Sequence, residues 1–202
     1  MVPGRWRFAV YDRAMVGAVD SGTQRLAPSG PGRYSANMND DIDSLSARIE
    51  IPMLVHALEY WHSKRNGRRM PSRRDIQPTE IPRILPHIVL NDVVPGTPVR
   101  YRYRLVGTRV TDYYGMDPTG RFFDDVATGT FYDAVVDAFE ACRLSLRPRF
   151  DRLEGIWPTV HTYWRLMLPL SDDDVDANII MVILVNNADR RLRNSMRKLF
   201  RE

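Results

Sequence analysis

Arginines and aromatic or aliphatic residues alternate most clearly between Val99 and Val110, where Arg100, Arg102 and Arg104 are interleaved with Tyr101, Tyr103 and Leu105. A period of two predicts a strand with two unlike faces. The run from His87 to Val94 is apolar and strand-length, and Pro95-Gly96-Thr97-Pro98 after it has the composition of a turn. The two runs therefore read as an antiparallel hairpin with an aromatic face and an arginine face. Three further strands are predicted after Pro148: Arg149 to Ile156, Val160 to Leu170 and Asn178 to Asn187. Trp157-Pro158-Thr159 and the acidic Ser171-Asp172-Asp173-Asp174 supply their hairpin loops.

Elsewhere the period lengthens. Between Pro52 and Arg65 the residues Leu54, Val55, Leu58 and Trp61 recur at helical spacing, with Pro52 suited to the first turn and Asn66-Gly67 to a left-handed stop. This helix has two uses open to it, packing on the sheet or pairing with a second chain. Pro78 and Pro82 then restrict the chain to short turns as it approaches the first strand. Residues 108–146 hold three helical pieces, the longest carrying Phe131, Val135, Ala138, Phe139 and Cys142 in one stripe. A basic amphipathic helix is predicted over about 189–201, with Leu192, Met196, Leu199 and Phe200 on one side.

The expected order is helix, two strands, helical crossover, three strands, helix. Two strands alone bury no apolar face, so all five are expected in one antiparallel sheet with the middle helices across one side, an α+β fold. The chain has 202 residues, which allows one well-cored domain, placed at 38–202 with a basic extension over 1–37. Within that extension, residues 21–37 are rich in Ser, Pro and Gly without a period. The extension contributes +3 of the formal charge of +4, so the balance of the remainder is nearly neutral.

The chemistry is sparse. Cys142 is the single cysteine, which excludes an internal disulfide and fits a reducing compartment, so a cytoplasmic location is expected. The longest apolar run, Ile179 to Val185, is far short of the ~20 residues that cross a bilayer. Gly107, Gly115 and Gly120 suggest turns and form no phosphate loop. No nucleophile elbow, kinase signature or paired metal motif is present, so the chain is expected not to be an enzyme and to carry no cofactor. His87 and His161 stand outside any His/Cys cluster and are read as structural, and Cys142, on its apolar stripe, as a buried inert thiol.

Several motifs fall in a recognisable order: Trp61, Arg68-Arg69-Met70-Pro71-Ser72-Arg73-Arg74-Asp75-Ile76, Pro78, Glu80-Ile81 and Leu85-Pro86-His87-Ile88. They continue with Tyr101 to Thr108, Gly115, Thr119-Gly120-Arg121 and Leu168-Pro169-Leu170. Together, over roughly residues 45–188, they resemble a bacterial PAS-like family, abundant in alphaproteobacteria and first catalogued as a domain of unknown function. The resemblance implies a PAS fold, usually as a lone domain without a kinase, and a regulatory role. The motif from Met70 to Asp75 is read structurally, with Ser72 or Asp75 capping the next turn and the arginines pairing locally.

The resemblance focuses attention on the aromatics, since PAS sheets enclose cavities. Tyr101, Tyr103, Tyr113, Tyr114, Phe131, Phe139, Tyr163 and Trp164, with His161, either fill an ordinary core or line a small-molecule site. Leu54, Leu58 and Trp61 are the candidate interaction face for a protein partner or a second copy. Arg100, Arg102 and Arg104 read as a solvated face, with an anionic ligand or acidic partner as the other reading. Three functions follow as expectations: a ligand-responsive sensory module, a ligand-free interaction or dimerisation scaffold with a signalling partner, and nucleic-acid binding. The last rests on the +4 carried by residues 189–202 and lacks any reading motif.

Overall fold

The computed structural model describes residues 38–127, 130–157 and 160–186, so the extension over 1–37 and the helix expected over 189–201 lie outside the described residues. Ten helices and strands of the described chain follow in the order α1 (Met38–Arg48), α2 (Pro52–Ser63), β1 (Ile88–Val94), β2 (Arg100–Val106), α3 (Thr108–Tyr114), α4 (Phe123–Val126), α5 (Thr130–Ser145), β3 (Arg149–Trp157), β4 (Val160–Leu170) and β5 (Ile179–Asn186). Three single 3-10 turns separate α2 from β1, where the prolines forbid anything longer. Helix α1 was not anticipated. Its polar run hides a short apolar stripe in which Ile42 is buried and Leu45 packs against the core, with buried Ile49 just beyond the helix end.

All five strands join one antiparallel sheet in the order β2-β1-β5-β4-β3. The hairpin β1–β2 and the meander β3–β4–β5 each pair locally, and the first and last strands then close the sheet between them. Every residue of β5 is buried, as is every residue of β4 from Tyr163 onward, so both faces of the sheet centre are covered. Side-chain parity separates the two covers. One face carries Tyr101 and Tyr103 with Asn91, Val182, Tyr163, Arg165 and Met167, and packs against the crossover helices α3 to α5. The other carries Ile88, Leu90, Met181, Ile183, Trp164, Leu166 and Leu168, and receives the N-terminal helices.

Helix α2 starts where Pro52 follows an extended Ile51, and its chain leaves through Asn66 and Gly67, both at positive φ as their types favour. Leu54, Leu58 and Trp61 are fully buried, and the Trp61 indole N–H donates to the Pro169 carbonyl on β4 at 2.8 Å. The expected interaction face is therefore taken up by the chain's own sheet, because three large apolar side chains on one stripe gain more from burial within the fold than exposure would leave them. Packing on the sheet is the use that Leu54, Leu58 and Trp61 find.

The segment after α2 clasps the β4–β5 loop. Ser72 and Asp75 form a reciprocal cap, with Arg68 paired to Asp75. The Ser72 hydroxyl donates to Asp172 at 2.7 Å, and Asp174 accepts from the backbone N–H groups of Arg69 and Met70 at 2.8 and 3.0 Å. The arginine-rich motif thus has the structural role expected of it.

Gly107 ends β2 against the turn before β1, donating to the Ile88 carbonyl at 2.8 Å. A Cβ there would meet the Pro86 and Leu85 carbonyl oxygens at 2.5 and 2.6 Å, both backbone atoms that no rotamer change removes. Gly107→Ala is expected to cost about 1–3 kcal/mol of stability by forcing these segments apart, read as a lower urea midpoint at unchanged slope.

Candidate functional site

The crossover face of the sheet holds the molecule's aromatic cluster. Tyr101 stands edge-on to Phe139 with centroids 5.0 Å apart, Phe139 is perpendicular to Phe123 at 4.9 Å, and Tyr103 lies 4.6 Å from Phe123. Strand β2 supplies the tyrosines because its alternation turns Tyr101 and Tyr103 inward. Helices α4 and α5 supply the phenylalanines from their buried stripes. The Tyr101 hydroxyl donates to Glu140, which Arg143 holds at 2.6 Å one helical turn on, so this end of the cluster is tied to α5.

Polar groups gather further along the same face. Tyr103 and Tyr114 approach with centroids 6.3 Å apart and their hydroxyls are hydrogen-bonded. Tyr163 lies within electrostatic reach of Tyr114, and both feel the cation of Arg165. Arg165 is buried and donates to Asp151 through Nη2 at 2.8 Å and Nε at 3.3 Å, while Arg149 reaches the same carboxylate at 3.0 Å. The β3–β4 register sets Asp151 directly opposite Arg165, which is why the pair forms. Asn91, also buried, donates to the Ile180 carbonyl at 3.2 Å, and its Oδ1 has no hydrogen-bond partner among the described residues. Such an acceptor ordinarily costs about 1–3 kcal/mol, so its placement in this face asks for a donor.

Burial governs the titration of these groups. It pushes the Tyr114 hydroxyl up to about 12, and those of Tyr101, Tyr103 and Tyr163 further above the ordinary tyrosine range. The Cys142 thiol, in the stripe of α5, is also pushed up to about 12 by burial and stays protonated and inert. Free tyrosines in an unfolded chain ionise near ~10. These four contribute stability that is complete below that pH and lost as pH rises through their folded values. Urea midpoints are therefore expected to fall as pH rises from about 10 towards 12, with tyrosinate absorbance appearing in step with unfolding.

Of the expected lining, Tyr101, Tyr103, Tyr114, Phe139 and Tyr163 share this face, and Tyr113 is half-buried on α3. The side chains of Phe131 and His161 lie outside the described residues. Trp164 is a correction: next to Tyr163 on a pleated strand, it points through the sheet to the opposite face, where its buried indole N–H has no partner among the described residues. His87 packs in the core with Nδ1 3.0 Å from the Leu184 carbonyl. The arginine face of β2 is internally paired, with Arg102 and Arg104 on buried Asp92, and Arg100 on Asp124 and stacked 3.7 Å over the Phe122 ring.

Four residues of this face were missed: Asn91, Phe123, Asp151 and Arg165. A lone arginine inside the otherwise apolar run from Tyr163 to Leu170 was the signal, since a charge in a strand covered on both sides needs a partner on the next strand.

Comparison with curated proteins finds no match. A family model does match: residues 50–133 fit that of the PAS domain, a stretch that runs from the residues before α2, through β1, β2, α3 and α4, into α5. With the five-stranded antiparallel sheet and its helical crossover in place, the fold is PAS-like.

Proposed function

We propose that the protein is a sensory module that binds a small molecule between the sheet and the crossover helices, without catalysing a reaction on it. PAS architecture supports a sensory or regulatory role in general terms. The observation that carries the finer reading is the polar interior of the crossover face, where Tyr103, Tyr114, Tyr163, Arg165 and the unpartnered Asn91 Oδ1 replace the aliphatic side chains found on the opposite face. Polar groups buried in an ordinary core are a net cost, and a buried ion pair is often no better than an apolar substitute. A ligand that donates to the Asn91 Oδ1 gives that arrangement a use. Differential affinity for two arrangements of α3 to α5 would then pass the signal outward.

Native mass spectrometry of the full chain, followed by denaturing extraction, tests this directly. The expected result is a stoichiometric small molecule released on unfolding, or one recovered by screening metabolite extracts against thermal stability. A chain that retains nothing and responds to no extract argues for the ligand-free scaffold instead.

A further inference from the structure

Asparagine is a poor residue for the middle of a covered strand, where its amide brings donors and acceptors that an aliphatic side chain does not. Asn91 nonetheless stands on the crossover face with 1% of its surface exposed, directly across from Tyr103 on β2 and Ile180 on β5. A β-bulge creates this setting. Between Leu90 and Asn91 the β1–β2 register skips Arg104, so Leu105 keeps the opposite face with Leu90 while Tyr103 turns onto the crossover face beside Asn91. In an unbroken register Arg104 would lie across from Asn91, where a guanidinium could donate to the amide oxygen. The bulge removes that donor, and Arg104 pairs with Asp92 instead.

The amide's orientation is fixed by its own bond. Nδ2 donates to the Ile180 carbonyl at 3.2 Å, and turning the group over would set two oxygens against each other, so Oδ1 is the atom left without a partner among the described residues. The charges along this face are matched already. Arg165 is neutralised by Asp151 and Glu140 by Arg143, and the second arginine on Asp151, Arg149, is exposed.

Resting on the ligand-binding reading above, we propose that Asn91 is the specificity residue of the site, and that the ligand is a neutral, flat molecule whose N–H or O–H donates to Asn91 Oδ1 with its ring against Tyr103 and Phe123. A carbonyl, carboxylate or phosphate brings Oδ1 only another lone pair. An ammonium brings a donor together with a buried charge that nothing on this face balances. The flat body follows from the neighbours, since Tyr103 is directly across from Asn91 and its ring lies 4.6 Å from that of Phe123. At 1% exposure, Asn91 is reached only as the crossover helices part, which makes binding and movement of α3 to α5 one event.

Calorimetric titration and thermal melts of the full chain test the class with matched probes. Indole is set against benzofuran, which has its shape and no donor, and phenol against benzoate and benzylamine for charge. Indole and phenol are expected to bind saturably, and the other three to be weaker by roughly tenfold or more, because a site built to accept a hydrogen bond rejects the analogue that lacks the donor. Asn91→Leu deletes the acceptor at similar volume, and the folded variant is expected to bind indole and benzofuran alike. The ratio of indole to benzofuran on the unmodified chain decides the matter even where that variant does not fold. Equal binding of the two by the unmodified chain, a preference for indole that survives in folded Asn91→Leu, tighter binding of benzoate or benzylamine, or no response to indole or phenol overturns the proposal. A charged or donorless molecule carried through purification also overturns it while leaving the sensory reading intact, whereas the absence of any ligand removes both.

Discussion

Trp61→Ala is expected to lower the stability of the chain by about 3–5 kcal/mol, the range for emptying a fully buried aromatic site. Against a typical domain stability of ~5–15 kcal/mol this is a large share, and cell yields should fall with it. Two losses combine. The indole leaves a cavity between α2 and the sheet, in a core where Leu54, Leu58 and Met53 are also fully buried. The Pro169 carbonyl on β4 also loses its donor, 108 positions away in sequence. Trp61→Phe separates the terms, since it keeps most of the volume and removes only the N–H, and should cost about 1–3 kcal/mol. Chemical denaturation of the three proteins checks the ranking, and a Trp61→Ala protein as stable as the parent would contradict the packing described for α2.

The second large effect is expected at the buried ion pair. Arg165→Met should destabilise the fold by roughly 3 kcal/mol, the lower end of what breaking a buried pair costs, because Arg149 remains to neutralise Asp151. Asp151→Leu should cost more, since it strands the guanidinium of Arg165, the more deeply buried of Asp151's two arginine partners. Replacing both should recover most of the loss, because two apolar groups of similar volume avoid the desolvation of either charge. A double-mutant cycle read by urea unfolding gives the coupling. An additive cycle, with no recovery, would show that the two side chains are not coupled.

How much of this was visible in the sequence differs from residue to residue. The hairpin was plain because Arg100 to Leu105 alternates on a strand with one face towards polar groups. The sheet and its crossover followed from counting segments, each of which repeats locally. The faces of β4 were not visible, because a strand covered on both sides shows no alternation, and Tyr163 and Trp164 look equivalent until the pleat sends them apart. Arg165 meets Asp151 only through the β3–β4 register, which composition does not specify. Trp61 was recognised as one face of a helix, but its partner, a backbone carbonyl on β4, comes from tertiary packing alone. Helix α1 was overlooked because Asn39, Asp40, Asp41 and Asp43 dilute its stripe.

A high-resolution crystal structure of the full chain, purified without refolding, tests the central reading most directly. Continuous density for a small molecule in contact with the Asn91 Oδ1 is the predicted result. Side chains of the crossover helices filling that space in close van der Waals contact, with every buried polar atom paired within the protein, would contradict it.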